Sequence, residues 1–171
     1  FKQKTAYEME RGLVGSEMGM RDSKSELATG YCTLYGDMAG GFAPIKDVAK
    51  TRVFALARWR NAHDPYGTGA NPIPERIITR PPSAELRPDQ KDQDSLPAYE
   101  VLDAIVARYM ENDEPIESII AAGFERADVE RVTRLIKLNE YKRRQAPVGV
   151  RVTRRSFGKD WRYPITSKFR A

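Results

Sequence analysis

The chain has 171 residues, enough for one domain or for part of a larger one. With 40% hydrophobic and 31% charged residues it can pack a core under a wet surface, and no apolar run nears the ~20 residues of a membrane span. A single cysteine, Cys32, excludes an internal disulfide framework and fits a reducing compartment, the cytoplasm being the default, while a single histidine, His63, argues against a His-rich metal centre.

The formal net charge is +5, and it is unevenly placed. Residues 141–171 hold ten Lys/Arg against one acid, Asp160, whereas residues 24–140 hold 15 basic and 19 acidic side chains. The basicity therefore belongs to the tail, where nucleotide phosphates, nucleic acid or an acidic subunit would all be compatible partners.

Residues 1–23 show no sustained apolar period, and Gly12, Gly15 and Gly19 break them further. Lys2–Glu8 and Gly12–Met18 match the translation of the two constant parts of a sequencing-library adapter, although Gly19-Met20 departs from its continuation. This stretch is expected to be a translated adapter or else an unstructured extension, with no secretory apolar region. A helix is predicted over 24–35, with Leu27, Tyr31 and Leu34 on one face, and the Gly-rich run 36–41 breaks it. Pro44 leads into a second helix over 46–61, broadly covered by Val48, Val53, Phe54, Leu56, Ala57 and Trp59.

Residues 64–72 read as a loop, 74–78 as a short helical turn, and the polar, Pro-rich 80–96 as a mobile stretch. Val101, Leu102, Ile105, Val106 and Tyr109 follow helical spacing, with Asp94 or Ser95 as the expected cap. Asp113 should cap a short helix from Pro115 to Gly123, and Asp128 should open a longer one striped by Val129, Val132, Leu135, Ile136 and Leu138. Residues 148–153 alternate like a strand.

Three separated stretches, 24–50 (KSELATGYCTLYGDMAGGFAPIKDVAK), 80–97 (RPPSAELRPDQKDQDSLP) and 139–147 (NEYKRRQAP), strongly resemble NAD⁺ synthetases of the adenine-nucleotide α-hydrolase type. The ending RVTRRSFGKDWRYPIT resembles the tail of the large glutamine-dependent form. The resemblance implies an α/β fold: residues 24–147 would be the mostly helical C-terminal part of a Rossmann-like synthetase domain missing the first half of its sheet, and 148–171 a basic tail. It also implies a homo-oligomer.

The family reaction has ATP adenylate the nicotinic-acid carboxylate of deamido-NAD⁺, after which ammonia from a glutaminase domain displaces AMP. Such chemistry needs no protein nucleophile. It needs two polyanions held together and charge neutralised by cations and Mg²⁺.

By resemblance, Glu26 serves Mg²⁺ or the dinucleotide, Tyr35 and Asp37 lie in the deamido-NAD⁺ loop with Gly36, and Lys142 is the late lysine of that site. Lys50 is expected to reach ATP phosphate, Ser83 to face ATP, and 80–97 to order over the active site on ligand binding. Read without the resemblance, Glu26 complements a helix dipole, Lys50 and Ser83 are solvated surface residues, Lys142-Arg143-Arg144 is a solvated helix end, and Cys32 is a small core residue. The family's Ser-Gly-Gly-x-Asp-Ser pyrophosphate loop, its Gly-Thr-Gly-Asn lead into Lys24 and its glutaminase domain are absent from these 171 residues. By itself the polypeptide is expected neither to turn over nor to fold tightly.

Two other readings compete. Residues 116–138 have helix-turn-helix spacing, but the second helix mixes acids with its bases and lacks Asn or Gln to read base edges, so nucleic acid is not expected. The Arg-rich tail with Trp161, Tyr163 and Phe169 could instead dock on a neighbouring subunit.

Overall fold

The structure, a computed structural model, describes residues 22–32, 41–67, 69, 71–80, 82 and 92–167. Helices dominate: α1 (Lys24–Thr29), α2 (Lys50–Ala62), α3 (Glu75–Thr79), α4 (Tyr99–Val106), α5 (Ile116–Ala121), α6 (Arg126–Leu138) and α7 (Glu140–Arg143), with a 3₁₀ turn at Asp92–Asp94. No described helix is long and apolar enough to cross a membrane.

Helix α1 is shorter than its periodicity predicts. Ser23 and Glu26 form a capping box at its start, the serine N–H donating to Glu26 Oε2 at 2.7 Å. Gly30 ends it in the left-handed region (φ +76°), and the N–H groups of Gly30 and Tyr31 both return to the Glu26 carbonyl. A β-carbon on Gly30 would sit 2.0 Å from Asn139 Oδ1, so glycine is required both by conformation and by space.

Helix α2 begins at Lys50 rather than 46 because residues 44–47 are folded into turns and Ala49 is extended. Its cap offers no side chain. Instead the Lys50 N–H donates to Ser25 Oγ at 2.8 Å and the Thr51 N–H to Asp103 Oδ2 at 2.9 Å, so α1 and α4 supply the acceptors for its first turn. Helix α4 likewise starts at Tyr99 after an uncapped Ala98, not from Asp94 or Ser95, and it runs on into a π-helical turn, Ala107–Glu111. Asp113 adopts positive φ and pairs with Arg155 instead of capping α5.

The core lies where α1, α4, the π turn, α5 and α6 meet. Leu102, Ile105, Met110, Ile119, Val129, Val132 and Ile136 are wholly buried, each worth roughly 1.5–3 kcal/mol of transfer free energy. The α6 stripe is as its spacing predicts, apart from Leu138, which is exposed at the helix end. Cys32 belongs to this core.

Among the described residues there is no strand. The alternation at 148–153 yields an extended segment with a single bridge, Val148 to Phe42. Two of its N–H groups, those of Val152 and Thr153, donate to Asp47 Oδ2 at 2.7 and 2.8 Å, which takes them out of any ladder. Gly149 passes so close to residues 43–46 that a β-carbon there would lie 2.2 Å from the Ala43 carbonyl oxygen. The chain then folds Phe157 back into the core and lays Trp161 beside it.

Candidate functional site

Glu26 points from the first turn of α1, and both of its carboxylate oxygens are engaged. Oε2 accepts from the Ser23 N–H at 2.7 Å and Ser23 Oγ at 2.6 Å, while Oε1 pairs with Lys50 Nζ at 2.8 Å. The carboxylate thus complements the helix start and is also the ion partner of Lys50. Lys50 is no solvated lysine. Its ammonium sits over Phe54 and Tyr99, 6.0 and 5.9 Å from the ring centres.

Behind this pair lies a polar network that the sequence reading left unassigned. Ser25 Oγ donates to Asp103 Oδ1, and Asp103 Oδ2 accepts from Thr51 Oγ1 at 2.8 Å. Tyr99, 5% exposed, donates its hydroxyl to Asp92 Oδ2 at 2.7 Å. Burial, then that hydrogen bond, then the negative charges of Glu26, Asp92 and Asp103 push the phenol far above its ordinary range, so Tyr99 is a fixed donor and not a base. Asp92 Oδ1 is enclosed and has no donor among the described residues. Asp103 could have been noticed from its place as an acid inside the apolar spacing of Val101, Leu102 and Ile105. Asp92 and Tyr99 carried no such signal.

Lys142 stands at the other end of α1. It is not a free helix end: Nζ donates to the carbonyls of Gly30 at 2.6 Å and Cys32 at 3.0 Å. Its neighbours act on the same stretch. Asn139 Nδ2 donates to the Thr29 carbonyl at 2.9 Å, and Arg143 Nη1 donates to those of Leu27 and Ala28 at 3.1 and 3.0 Å. One short run, 139–143, thus satisfies the carbonyls that a helix C-terminus leaves open, and it fixes where the chain enters residues 33–40.

Three of the six candidate residues, Glu26, Lys50 and Lys142, are therefore placed, two in direct contact and the third across α1. Tyr35, Asp37 and Ser83 lie outside the described residues, as do residues 1–21. His63 stacks on Trp59 with ring centres 4.9 Å apart at the end of α2. Among the described residues no group of three His, Cys, Asp or Glu could hold a metal ion, and Glu26 is already satisfied by Lys50 and Ser23. These residues do not by themselves fit Mg²⁺.

The helix pair α5–α6 turns Ile119, Val129, Val132 and Ile136 into the core, and Arg126 on its outer side is held by Glu117 and Glu130 at 2.9 and 3.3 Å. Nothing in this pair favours a nucleic-acid reading.

The chain matches the family model for NAD synthase over residues 8–146. It is 60% identical over 148 residues to a glutamine-dependent NAD(+) synthetase of Acinetobacter baylyi, covering 86% of this chain and 27% of that protein. A protein of the same name from Aquifex aeolicus is 56% identical over 147 residues, with 86% and 25% covered. The chain thus spans about a quarter of the length of these relatives. A crystal structure of a glutamine-dependent NAD(+) synthetase from Cytophaga hutchinsonii matches 87% of this chain and 24% of its own, with a TM-score of 0.62 at 23% identity, a likeness of fold.

Proposed function

The chain belongs to the NAD synthase family, and on that premise we propose that its residues bind deamido-NAD⁺ and ATP for glutamine-dependent synthesis of NAD⁺. The observation that carries this is the placement of Glu26 with Lys50 at one end of α1 and Lys142 at the other. A helix of six residues is about 9 Å long, a span suited to two adjacent anionic ligands.

In this reading Lys50 exchanges the Glu26 carboxylate for ATP phosphate, which offers it more negative charge than one carboxylate does. Lys142, Tyr35 and Asp37 serve the dinucleotide, and Ser83 serves ATP. The nicotinic-acid carboxylate attacks the α-phosphorus of ATP and pyrophosphate leaves; ammonia then attacks the acyl carbon and AMP leaves. The described helices would be the C-terminal part of a Rossmann-like α/β domain, in a cytoplasmic homo-oligomer whose ammonia comes from a glutaminase domain. The 171 residues lack the Ser-Gly-Gly-x-Asp-Ser loop and do not turn over alone.

Two measurements test this. Isothermal titration should show binding of ATP that Lys50→Gln weakens about tenfold, the loss of one charge-assisted contact. A coupled assay for AMP release should stay at background with ATP, deamido-NAD⁺ and ammonium. AMP release dependent on both substrates would refute the statement that the chain is inactive alone, and unchanged ATP binding by Lys50→Gln would refute the role of Lys50.

A further inference from the structure

The C-terminal run 148–161 bears on both ends of helix α1, on its start directly through Lys24 and on its end through Arg143. At the start of the helix, Lys24 is 1% exposed and its ammonium donates to Thr153 Oγ1 at 2.6 Å, the Arg155 carbonyl at 2.8 Å and Glu111 at 2.7 Å, with Asp47 as a further ion partner at 3.0 Å. Asp47, also 1% exposed, holds the same segment through the N–H groups of Val152 and Thr153 and the Thr153 hydroxyl at 2.9 Å. At the end of the helix, Arg143 grips the Leu27 and Ala28 carbonyls while Glu140 pairs with it at 3.0 Å. The guanidinium is covered by Phe157 and Trp161, 4.6 and 5.8 Å from the ring centres.

We propose that residues 148–161 form a positioning strap for the candidate site, with Lys24, Asp47 and Arg143 as positioning residues that set the height and rotation of α1. What is positioned rests on the function proposed above; the strap itself does not. Buried charges are a poor way to gain stability, because apolar side chains of similar volume often serve as well or better. They do impose direction. Lys24 can be satisfied only where the Thr153 and Arg155 acceptors meet those of Asp47 and Glu111, and the planar Arg143 fork fits two successive carbonyls in one register. A shift of the strap therefore moves Glu26 and the entry to residues 33–40 together. Both aromatics lie against Arg143, so Trp161, one of the aromatics of the docking-arm reading, already has a partner within the chain.

The test is hydrogen exchange of the 171-residue chain, read at the Leu27–Tyr31 amides, together with titration of deamido-NAD⁺. Asp47→Asn and Phe157→Ala are compared with a core control, Ile119→Val, at temperatures equally far below each variant's melting point. Thr153→Val, which removes only a hydroxyl, stands in should a harsher variant fail to fold. The strap variants should accelerate exchange in α1 about tenfold and weaken deamido-NAD⁺ about tenfold, with neither effect in the control. Exchange in α1 no faster than in the control overturns the strap. Faster exchange with unchanged affinity leaves a structural clasp and overturns positioning. A parent chain that binds no deamido-NAD⁺ refutes the proposed function, while the exchange comparison still decides the strap.

Discussion

Helix α1 has six residues and buries five of them; helix α2 has thirteen and buries none. The shorter helix could not persist alone, since isolated helices under about 12 residues are marginal in water. Its ends are completed from outside, by the Ser23–Glu26 box, the Lys24 ion network and the carbonyl clamp of Asn139, Lys142 and Arg143. Helix α2 depends on its own backbone and on two acceptors, Ser25 and Asp103, lent to its first turn, and it leaves Leu56 and Trp59 half exposed. The candidate site lies where the two meet, at Glu26 and Lys50. Precision there comes from the helix that others hold, not from the longer one.

The contrast can be broken most severely at Arg143. Arg143→Met leaves Glu140, 2% exposed, with Arg144 as its remaining ion partner and takes the donors from the Leu27 and Ala28 carbonyls, and thermal unfolding followed by circular dichroism should register a loss of about 3–5 kcal/mol. Gly30→Ala comes next. It forces a side chain into the left-handed region and against Asn139, for an expected ~1–3 kcal/mol in urea unfolding.

Tyr99→Phe removes the donor to Asp92 and should cost roughly 1–3 kcal/mol near neutral pH. It also sharpens the comparison through pH. The folded phenol is shifted upward, so its contribution is complete below the unfolded value of about 10 and is lost as pH rises beyond it, at up to about 1.4 kcal/mol per pH unit. Tyr109, raised by burial, acts in the same direction, so the Tyr99→Phe chain should show a shallower alkaline slope rather than none. The smallest effect belongs to α2: Arg58→Ala, on its exposed face, should stay within about 0.5 kcal/mol of the parent.

Much of the helical frame was legible because it is local. The stripe Val129, Val132 and Ile136 faces the core as its spacing requires, whereas the first helix, predicted over 24–35, ends already at Gly30. What could not be read is long-range. Lys24 and Asp47 look like surface charges until Thr153 and Glu111 arrive from far along the chain, and Arg143 looks like a solvated helix end until Phe157 covers it. The strand reading of 148–153 failed for the same reason, since alternation describes a face and says nothing of the partner, here the Asp47 carboxylate. For the site, family resemblance singled out Glu26, Lys50 and Lys142 but not the Glu26–Lys50 contact, and Asp92, Asp103 and Tyr99 join the network only in the packed structure.

The most direct test of the account is calorimetric titration of deamido-NAD⁺ into the 171-residue chain and into Lys142→Gln. The predicted result is saturable binding by the parent, weakened about tenfold by the substitution, since the lysine holds the loop entry through the Gly30 and Cys32 carbonyls. Equal affinity in both chains, or no binding by the parent, would contradict it.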